Sequence, residues 1–569
     1  MNLATHVFDC KKIPFSRRGS FITISPNHKI GQDSPLFIRN IRNGDNDFGE
    51  VFQIDVIREG KPLPYKAVMT PSSLRLETEG GFAEFCITEA RVLQIRSEGV
   101  GVRLSGMTGA YDYAVMAGDR RWEVNHSMQE MRYMLTVLHG SLEMDAPFVA
   151  ERCEKIIADF LPDRIHGKME CAVEEFTTVY RPRKYRSFAE GKKLVERDYE
   201  NWFENTLDIP DKFARGKELA SYITWSCLVP AEGVLTRPAM YMSKNWMTNI
   251  WSWDHCFNAL ALAKKSPELA WDQLMIFFDL QDASGMLPDF ANNRFVLWNF
   301  TKPPIHGWTL RRMWEQTDFI DTERLREIYG PLGKWTNWWL EWQDDDHDGI
   351  PQYNHGNDSG WDNSTIFHRG TPVESPDLSS FLVIQMEVLA EIADKLGKKR
   401  DAARWKKDSE TLLAKLLEHF WDGEKFVAKR SGTHESIESD SLVLYAPLIL
   451  GKRLPDEIRK KLVNGIRTKG FLTEYGLATE LPSSTYYKPD GYWRGPIWAP
   501  TTMLIADGLR SAGETELFQE IAAKFCAMAT ASGMAENYNA LTGQPLRDPA
   551  FTWTSSVFLL LGNLLSEAK

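Results

Sequence analysis

Four loop segments of this 569-residue chain gather its tryptophans, acids and glycines, and two of them set tryptophan directly beside carboxylate. Asn245-Trp246-Met247-Thr248-Asn249-Ile250-Trp251-Ser252-Trp253-Asp254-His255 is the first, and Asn357-Asp358-Ser359-Gly360-Trp361-Asp362-Asn363-Ser364 the second. Tyr492-Trp493-Arg494-Gly495-Pro496-Ile497-Trp498-Ala499-Pro500 and Met534-Ala535-Glu536-Asn537-Tyr538-Asn539-Ala540-Leu541-Thr542-Gly543 complete the set. An indole packs well on the C–H face of a pyranose, and a neighbouring carboxylate accepts hydrogen bonds from its hydroxyls. The Trp-Asp dipeptide alone carries little weight, since Trp271-Asp272 and Trp421-Asp422 fall in or at the end of expected helices and read as core. Trp253-Asp254 and Trp361-Asp362 lie in loops, where a core role explains them poorly.

Inverting glycoside hydrolysis needs one carboxyl kept protonated for the leaving oxygen and another, ionised, to activate water on the opposite face, about 6.5–9.5 Å away. Asp362, next to Trp361, suits a raised pKa behind an aromatic wall, and Glu536, among Asn537, Tyr538 and Asn539, suits staying ionised. Arg494 reads equally as the partner of a loop carboxylate or as a donor to sugar hydroxyls. Lys302-Pro303-Pro304-Ile305-His306-Gly307-Trp308 is a rigid helix entry that offers Trp308, and less so His306, to substrate. Asp344-Asp345-Asp346-His347-Asp348-Gly349 spaces its acids like the start of a calcium loop, but the twelfth position is His355 rather than Glu. No cofactor is required by this chemistry and no catalytic metal is expected; a structural Ca²⁺ completed by a distant acid stays open. Zinc and haem spacings and glycine-rich phosphate loops are absent from the sequence.

Taken in order, the four segments resemble the inverting α-glycosidases of glycoside hydrolase family 63, the processing α-glucosidase I family with its mannosylglycerate and glucosylglycerate hydrolase-like members, and the related neutral trehalases of family 37. Ser359-Gly360-Trp361-Asp362 is similar to the trehalase segment whose aspartate is the general acid. Glu536-Asn537-Tyr538-Asn539 with Leu541-Thr542-Gly543 is similar to the family 63 segment that supplies the general base. Tyr492-Trp493-Arg494-Gly495-Pro496-Ile497-Trp498 resembles a block lining the sugar site, and Trp253-Asp254 a pair gripping the terminal glucosyl unit. The resemblance spans roughly residues 215–569. It implies an (α/α)6 barrel, Asp362 as acid, Glu536 as base, and Trp253, Asp254, Trp308, Trp361, Trp493, Arg494 and Trp498 as substrate-binding residues. The chain departs from the trehalase pattern at Asp358, where that segment begins with Glu, and Ala499-Pro500 is more trehalase-like than family 63-like.

The elements that must position these loops divide sharply. Of 20 tryptophans only Trp122 precedes residue 190, which marks a domain boundary. Before it, runs such as Phe21–Ser25, Glu50–Ile57, Ser73–Thr78, Ala83–Ile87 and Tyr133–Leu138 alternate with period two, as in an antiparallel β-sandwich over residues 1–180. Ser187-Phe188-Ala189-Glu190 is a capping box opening a helical linker within residues 181–211. From 212 to 569, helical faces recur at about 216–229, 253–264, 266–281, 307–317, 322–343, 376–396, 400–420, 439–450, 455–467, 496–511, 515–531 and 552–567. Ser375 with Pro376 reads as an N-cap and first turn, and Gly397 as the stop. Twelve helices in pairs point to a closed toroid of six hairpins; an open solenoid would show a fixed repeat, and none is present.

Net charge −11 with no Lys or Arg cluster argues against a nucleic-acid partner. Seven scattered cysteines without a CxxC read as reduced, buried thiols. No apolar run is long enough to span a membrane, and the first ten residues show no basic flank leading into an apolar stretch, so the expectation is a cytoplasmic enzyme acting on a small carbohydrate. The rival readings are an (α/α)6 disaccharide phosphorylase, a trehalase, a sugar epimerase using His255 and His306, and a non-catalytic sugar-binding protein. Long loops at about 282–306, 344–375 and 469–495 are expected to crowd the mouth and favour a small exo-substrate, with Arg494 or Lys488 as the cation for an acidic aglycone.

Overall fold

The computed structural model describes residues 6–28, 30–31 and 34–567; Met1–Thr5 of the N-terminal stretch read above lie outside them. Residues up to Phe176 form two antiparallel sheets of seven and eight strands. In strand Glu50–Arg58, Phe52, Ile54 and Val56 are buried while Gln53 and Asp55 between them are half-exposed, the pattern of a sheet with one face inward. Phe52 meets Tyr133 of the other sheet edge-on, ring centroids 5.7 Å apart, so the two inner faces close on one apolar layer. The seven cysteines are all free and buried.

Helix α1 (Phe188–Glu204) starts on the expected capping box, with Ser187 and Glu190 satisfying each other's backbone. It lies along strand Gly81–Glu89, and a Cβ on its Gly191 would stand 2.5 Å from Thr88, so only glycine allows that approach.

Eleven α-helices follow among the described residues: α2 (Ala214–Ser226), α3 (Asp254–Ala263), α4 (Pro267–Asp279), α5 (His306–Gln316), α6 (Thr322–Trp342), α7 (Pro376–Lys395), α8 (Lys399–Phe420), α9 (Asp456–Thr468), α10 (Ala499–Ala512), α11 (Thr515–Ser532) and α12 (Thr552–Glu567). The twelfth expected helix, read at 439–450, is instead the 3-10 segment Leu442–Arg453. Pro447 lacks the N–H a regular turn needs, and Gly451 turns to φ 54°, so an α-helix cannot run through. Ser375 opens α7 in extended geometry, but its hydroxyl goes to Asp377 rather than to a backbone amide.

Contacts pass from α3 to α5, α7, Leu442–Arg453, α10 and α12, and α12 returns to α3. This closed inner ring, with α2, α4, α6, α8, α9 and α11 outside it, is an (α/α)6 barrel. Burial follows the layer: every residue of α10 from Ala499 to Leu509 is buried, whereas α9 buries only Ile458, Leu462, Val463, Gly465 and Ile466. No helix among the described residues is long and apolar enough to cross a membrane.

Candidate active site

The four segments all run into, or lie just before, the N-terminal ends of inner-ring helices, and they converge on one cavity. It has a volume of about 440 Å³, and its wall includes Trp253, Asp254, Asp362, Trp493, Trp498 and Glu536. A miniature sheet frames one side: Ile250–Trp251 pairs with Phe290–Ala291, which pairs with Val296–Leu297, presenting Trp251, Phe290 and Leu297.

The floor is aromatic. Trp493 and Trp498 stack at 4.0 Å between centroids with planes 6° apart. Trp553, the second residue of α12, closes edge-on against Trp498 at 5.4 Å and Trp253 at 5.8 Å. Trp361 stands behind this layer, 5.4 Å from Trp493, and supports the wall rather than lining it. Sequence reasoning took Trp553 as part of a terminal helix; only ring closure, which brings α12 beside α3, puts it in the site.

The loop carrying Asp362 is held by its own polar residues. Asp358 accepts from the His355 amide at 2.9 Å and the Thr301 amide at 3.2 Å, and Ser359 Oγ accepts from the Trp361 amide at 3.0 Å. Gly360 has φ 71°, and a Cβ there would strike the Trp253 ring at 2.5 Å, so glycine is required by conformation and by space. Asn363 ties this loop to the next, accepting from the Trp493 amide at 2.9 Å and donating to the Gly491 carbonyl at 3.1 Å.

Asp289 and Lys302, unmarked by any motif, shape the electrostatics. Lys302 Nζ is buried, 3.1 Å from Asp289 Oδ1, and donates to Asn357 Oδ1 at 2.7 Å and to its carbonyl at 2.9 Å. Burial works against its charge, but Asp289, Asp362 and Asp254 outweigh it and hold the ammonium above its ordinary range. Asp254 is pushed well up by burial, against the pull of Lys302. Burial lifts Asp362 to about 6, opposed by Lys302 and assisted by Asp289.

Glu536 departs from the expectation of a polar, ionising setting. Its side chain is buried, and burial, then Asp548, raises it to about 8, with Arg547 opposing. Asn539 and Tyr538 are turned to neighbouring backbone, Asn539 Oδ1 to the Leu541 amide at 2.9 Å and Tyr538 Oη to the Gly533 carbonyl at 2.6 Å. Burial therefore raises both acids, where the sequence reading expected it to raise only Asp362.

Three expected contacts fall elsewhere. Trp308 is inside the ring, its Nε1 donating to Asp507 at 2.8 Å, because the residue lies on an inner helix and not on its leading loop. Arg494 and Lys488 do not line the cavity; Arg494 sits toward Glu480, and Lys488 pairs by backbone with the Arg494 carbonyl at 2.8 Å. The cation near the mouth is Arg547, which with Trp246, Met247, Tyr492 and Glu536 bounds an adjoining space of about 390 Å³. Its guanidinium lies 4.8 Å over the Tyr492 ring and donates to Asp490 at 2.9 Å. His255 and His306 are buried against Phe277 and Phe278, both held down to about 3 by burial, so the cavity wall lacks the histidine pair an epimerase would use. His355 is the one histidine among the described lining residues.

The Asp344–Gly349 turn contributes nothing to the cavity. Asp346, Asp348, Glu374 and His434 converge there, with His434 Nε2 at 2.9 Å from Asp346 and 3.6 Å from Asp348. Glu374, the distant acid, is fully buried, and its Oε1 has no hydrogen-bond partner. His355, at the twelfth position, is part of the candidate cavity instead.

Residues 247–554, more than half of the chain, match the model of the mannosylglycerate hydrolase MGH1-like glycoside hydrolase domain. The chain is 22% identical over 389 residues to a mannosylglycerate hydrolase of Thermus thermophilus, covering 54% of this chain and 93% of that protein. It is 25% identical over 419 residues to a glucosylglycerate hydrolase of Mycolicibacterium hassiacum, covering 55% and 91%. The crystal structure of a GH63 mannosylglycerate hydrolase from Thermus thermophilus in complex with glucose superimposes with a TM-score of 0.52 at 21% identity, over 60% of this chain and 98% of that one.

Proposed function

Because the chain belongs to the MGH1-like glycoside hydrolase family and is a glycoside hydrolase, we propose that it removes a terminal α-glucosyl or α-mannosyl unit from a small glycoside with inversion. The observation that supports this reading is one cavity whose lining brings together the stacked indoles of Trp493 and Trp498 and two carboxyls, Asp362 and Glu536. Trp493, Trp498 and Trp253 pack on the faces of the terminal sugar, and Asp254 bonds its hydroxyls. Asp362 protonates the leaving oxygen, and Glu536 draws the proton from the attacking water. The names of the relatives favour a glycerate aglycone, whose carboxylate would meet Arg547 at the mouth.

A second reading exchanges the roles, with Glu536 as acid and Asp362 as base, and the order of the two raised pKa values favours it. Glycosyl fluorides decide between them, since fluoride leaves without a proton. Under the first reading Asp362→Asn keeps turnover of the fluoride and loses that of glucosylglycerate or mannosylglycerate, while Glu536→Gln loses both. The opposite pattern exchanges the roles, and wild-type rates in either variant overturn its assignment. Running the assay with and without phosphate excludes or reveals a phosphorylase.

The same proposal includes a structural divalent cation bound by Asp346, Asp348 and Glu374, where Glu374 Oε1, without a hydrogen bond and 3.8 Å from His434 Nε2, supplies the distant acid that the sequence leaves open.

A further inference from the structure

The N-terminal sandwich lies outside the family match at residues 247–554, yet it holds two segments at the mouth of the cavity. The first is the run into Trp246, which with Met247, Tyr492, Glu536 and Arg547 bounds the adjoining space of about 390 Å³. Its backbone is pinned immediately before the indole. Arg39, on strand Leu36–Asn40, sends Nη1 to the Lys244 carbonyl at 3.0 Å and Nη2 to the Asn245 carbonyl at 2.5 Å. Lys244 Nζ in turn donates to the Ser20 carbonyl at 2.5 Å and Ser16 Oγ at 3.0 Å, and Asn245 Nδ2 donates to the Lys12 carbonyl at 3.1 Å. The indole itself is half-exposed. His28, two residues beyond strand Ile22–Pro26, meets it edge-on, with ring centroids 5.3 Å apart and planes at 69°.

The second segment is the hairpin of Phe290–Ala291 and Val296–Leu297, whose Phe290 and Leu297 line the cavity. At its tip Arg294 donates to the Gln129 carbonyl and lies 3.5 Å from the Glu130 carboxylate, both on the sandwich turn at 127–130. Next to it Asn292 donates to Asn249 Oδ1 at 3.1 Å, and Gly44 of the sandwich packs on that pair. Gly44 has φ 64°, and a Cβ there would run into both amide side chains. A hairpin of two-residue strands is marginal by itself, and a half-exposed indole gives up rotamer freedom when a ligand packs on it. Contacts that order both in the free protein remove that cost from binding.

We infer that the N-terminal sandwich selects the aglycone: through His28 it fixes Trp246 as a platform for the group beyond the terminal sugar, and through Gly44, Gln129 and Glu130 it fixes the hairpin at the rim. The inference rests on the reading of the chain as an exo-glycosidase with Arg547 at the aglycone end. The aglycone that fits is a small polyhydroxy acid, its carboxylate toward Arg547 and its C–H face on the indole. His28 and Arg294 are positioning residues, since neither is in the wall of the cavity or of the adjoining space. Each acts through a residue that is.

The test compares two values of kcat/KM in the full-length chain. One is measured on aglycone-bearing glycosides (glucosylglycerate, mannosylglycerate and an α-linked disaccharide), the other on the matching α-glycosyl fluoride, which has no aglycone. His28→Ala should lower the glycoside value about three- to ten-fold, the worth of one edge-on ring contact, and leave the fluoride value in place. His28→Phe, which keeps a ring edge against the indole, should restore the glycoside value. Trp246→Ala should lower the glycoside-to-fluoride ratio further, and adding His28→Ala to it should change the ratio no more, because His28 acts through that indole. Arg294→Met should lower the ratio through the hairpin. Should Trp246→Ala fail to fold, Trp246→Leu replaces it. A merely structural seam lowers the melting temperature and both substrates in parallel; parallel losses, or a ratio unmoved in the Trp246 variant, overturn the inference. A wild-type chain inert toward every glycoside and fluoride defeats the hydrolytic reading itself, whereas an active chain with an unmoved ratio defeats only the role of the sandwich.

Discussion

At the scale of single residues, Asp362 raised to about 6 and Glu536 raised to about 8 dictate the pH behaviour. An acid at Asp362 acts only while protonated, so its contribution falls as pH rises through about 6; a base at Glu536 acts only when ionised, so its contribution grows as pH rises through about 8. The competent form, Asp362 protonated and Glu536 ionised, then peaks midway near pH 7 as a minority of about 1%. Measured kcat/KM on a glycoside is expected to trace a bell falling below about 6 and above about 8, with limbs belonging to the pair as a unit. A profile that falls neither below about 6 nor above about 8 would show that these carboxyls do not carry the proton transfers. Removal of either acid should cost about 10²–10⁴-fold in turnover of the glycoside. Gly360→Ala is a structural probe of the same site: the left-handed backbone and the Trp253 ring both reject a methyl group, and such strain is worth about 1–3 kcal/mol. Its melting temperature should drop and its sugar affinity fall together; an unchanged variant would mean the Trp253 wall yields freely.

At the scale of elements, the loops leading into the inner ring behave as one assembly because side chains staple them. Asn363 joins the Asp362 loop to the Trp493 segment through two hydrogen bonds, each worth about 1 kcal/mol, so Asn363→Ala should lower the melting temperature and cut kcat/KM by up to about thirty-fold. The cation loop is separate. Calcium added to the metal-stripped protein should raise its melting temperature in proportion to the logarithm of concentration, and Glu374→Gln should erase that response. The element boundaries were largely legible in the chain because periodicity and caps act locally: the Ser187–Glu190 box and the Pro376 start are where the pattern puts them. Leu442–Arg453 was not legible as a 3-10 segment, since its apolar spacing fits a helix and only Pro447 and Gly451 argue otherwise. Trp308 and Trp553 show the same limit from two sides. Each lies within or at the start of an apolar helix, and which one reaches the cavity depends on where the ring closes, a fact of packing between residues far apart in sequence. Asp289, Lys302 and Asp548 were missed for a related reason: a lone charged residue acquires meaning only from the buried partners that folding brings to it.

At the scale of the whole molecule, the sandwich and the barrel are joined by charge as well as by apolar packing. Arg42, almost fully buried, pairs with Glu175 of the sandwich at 2.7 Å and with Glu232 of the barrel at 2.6 Å, and Arg39 and Lys244 cross the same seam. Cutting the chain at residue 212 would strand Lys244 and Glu232 without partners, and a broken buried pair costs about 3–5 kcal/mol. The isolated barrel is therefore expected to be insoluble or to melt far below the full chain; an independently folded, fully active fragment would show that the seam is dispensable.

The face-to-face indoles of Trp493 and Trp498 have an optical consequence. Two chromophores 4.0 Å apart and within 6° of parallel share their excitation, so they absorb and rotate light as one coupled unit rather than as two separate rings. A hexose settling on that pair changes the coupling without any label or added dye. Occupancy of the cavity can thus be followed by circular dichroism in the indole bands, with Trp498→Phe silencing the signal and identifying its source.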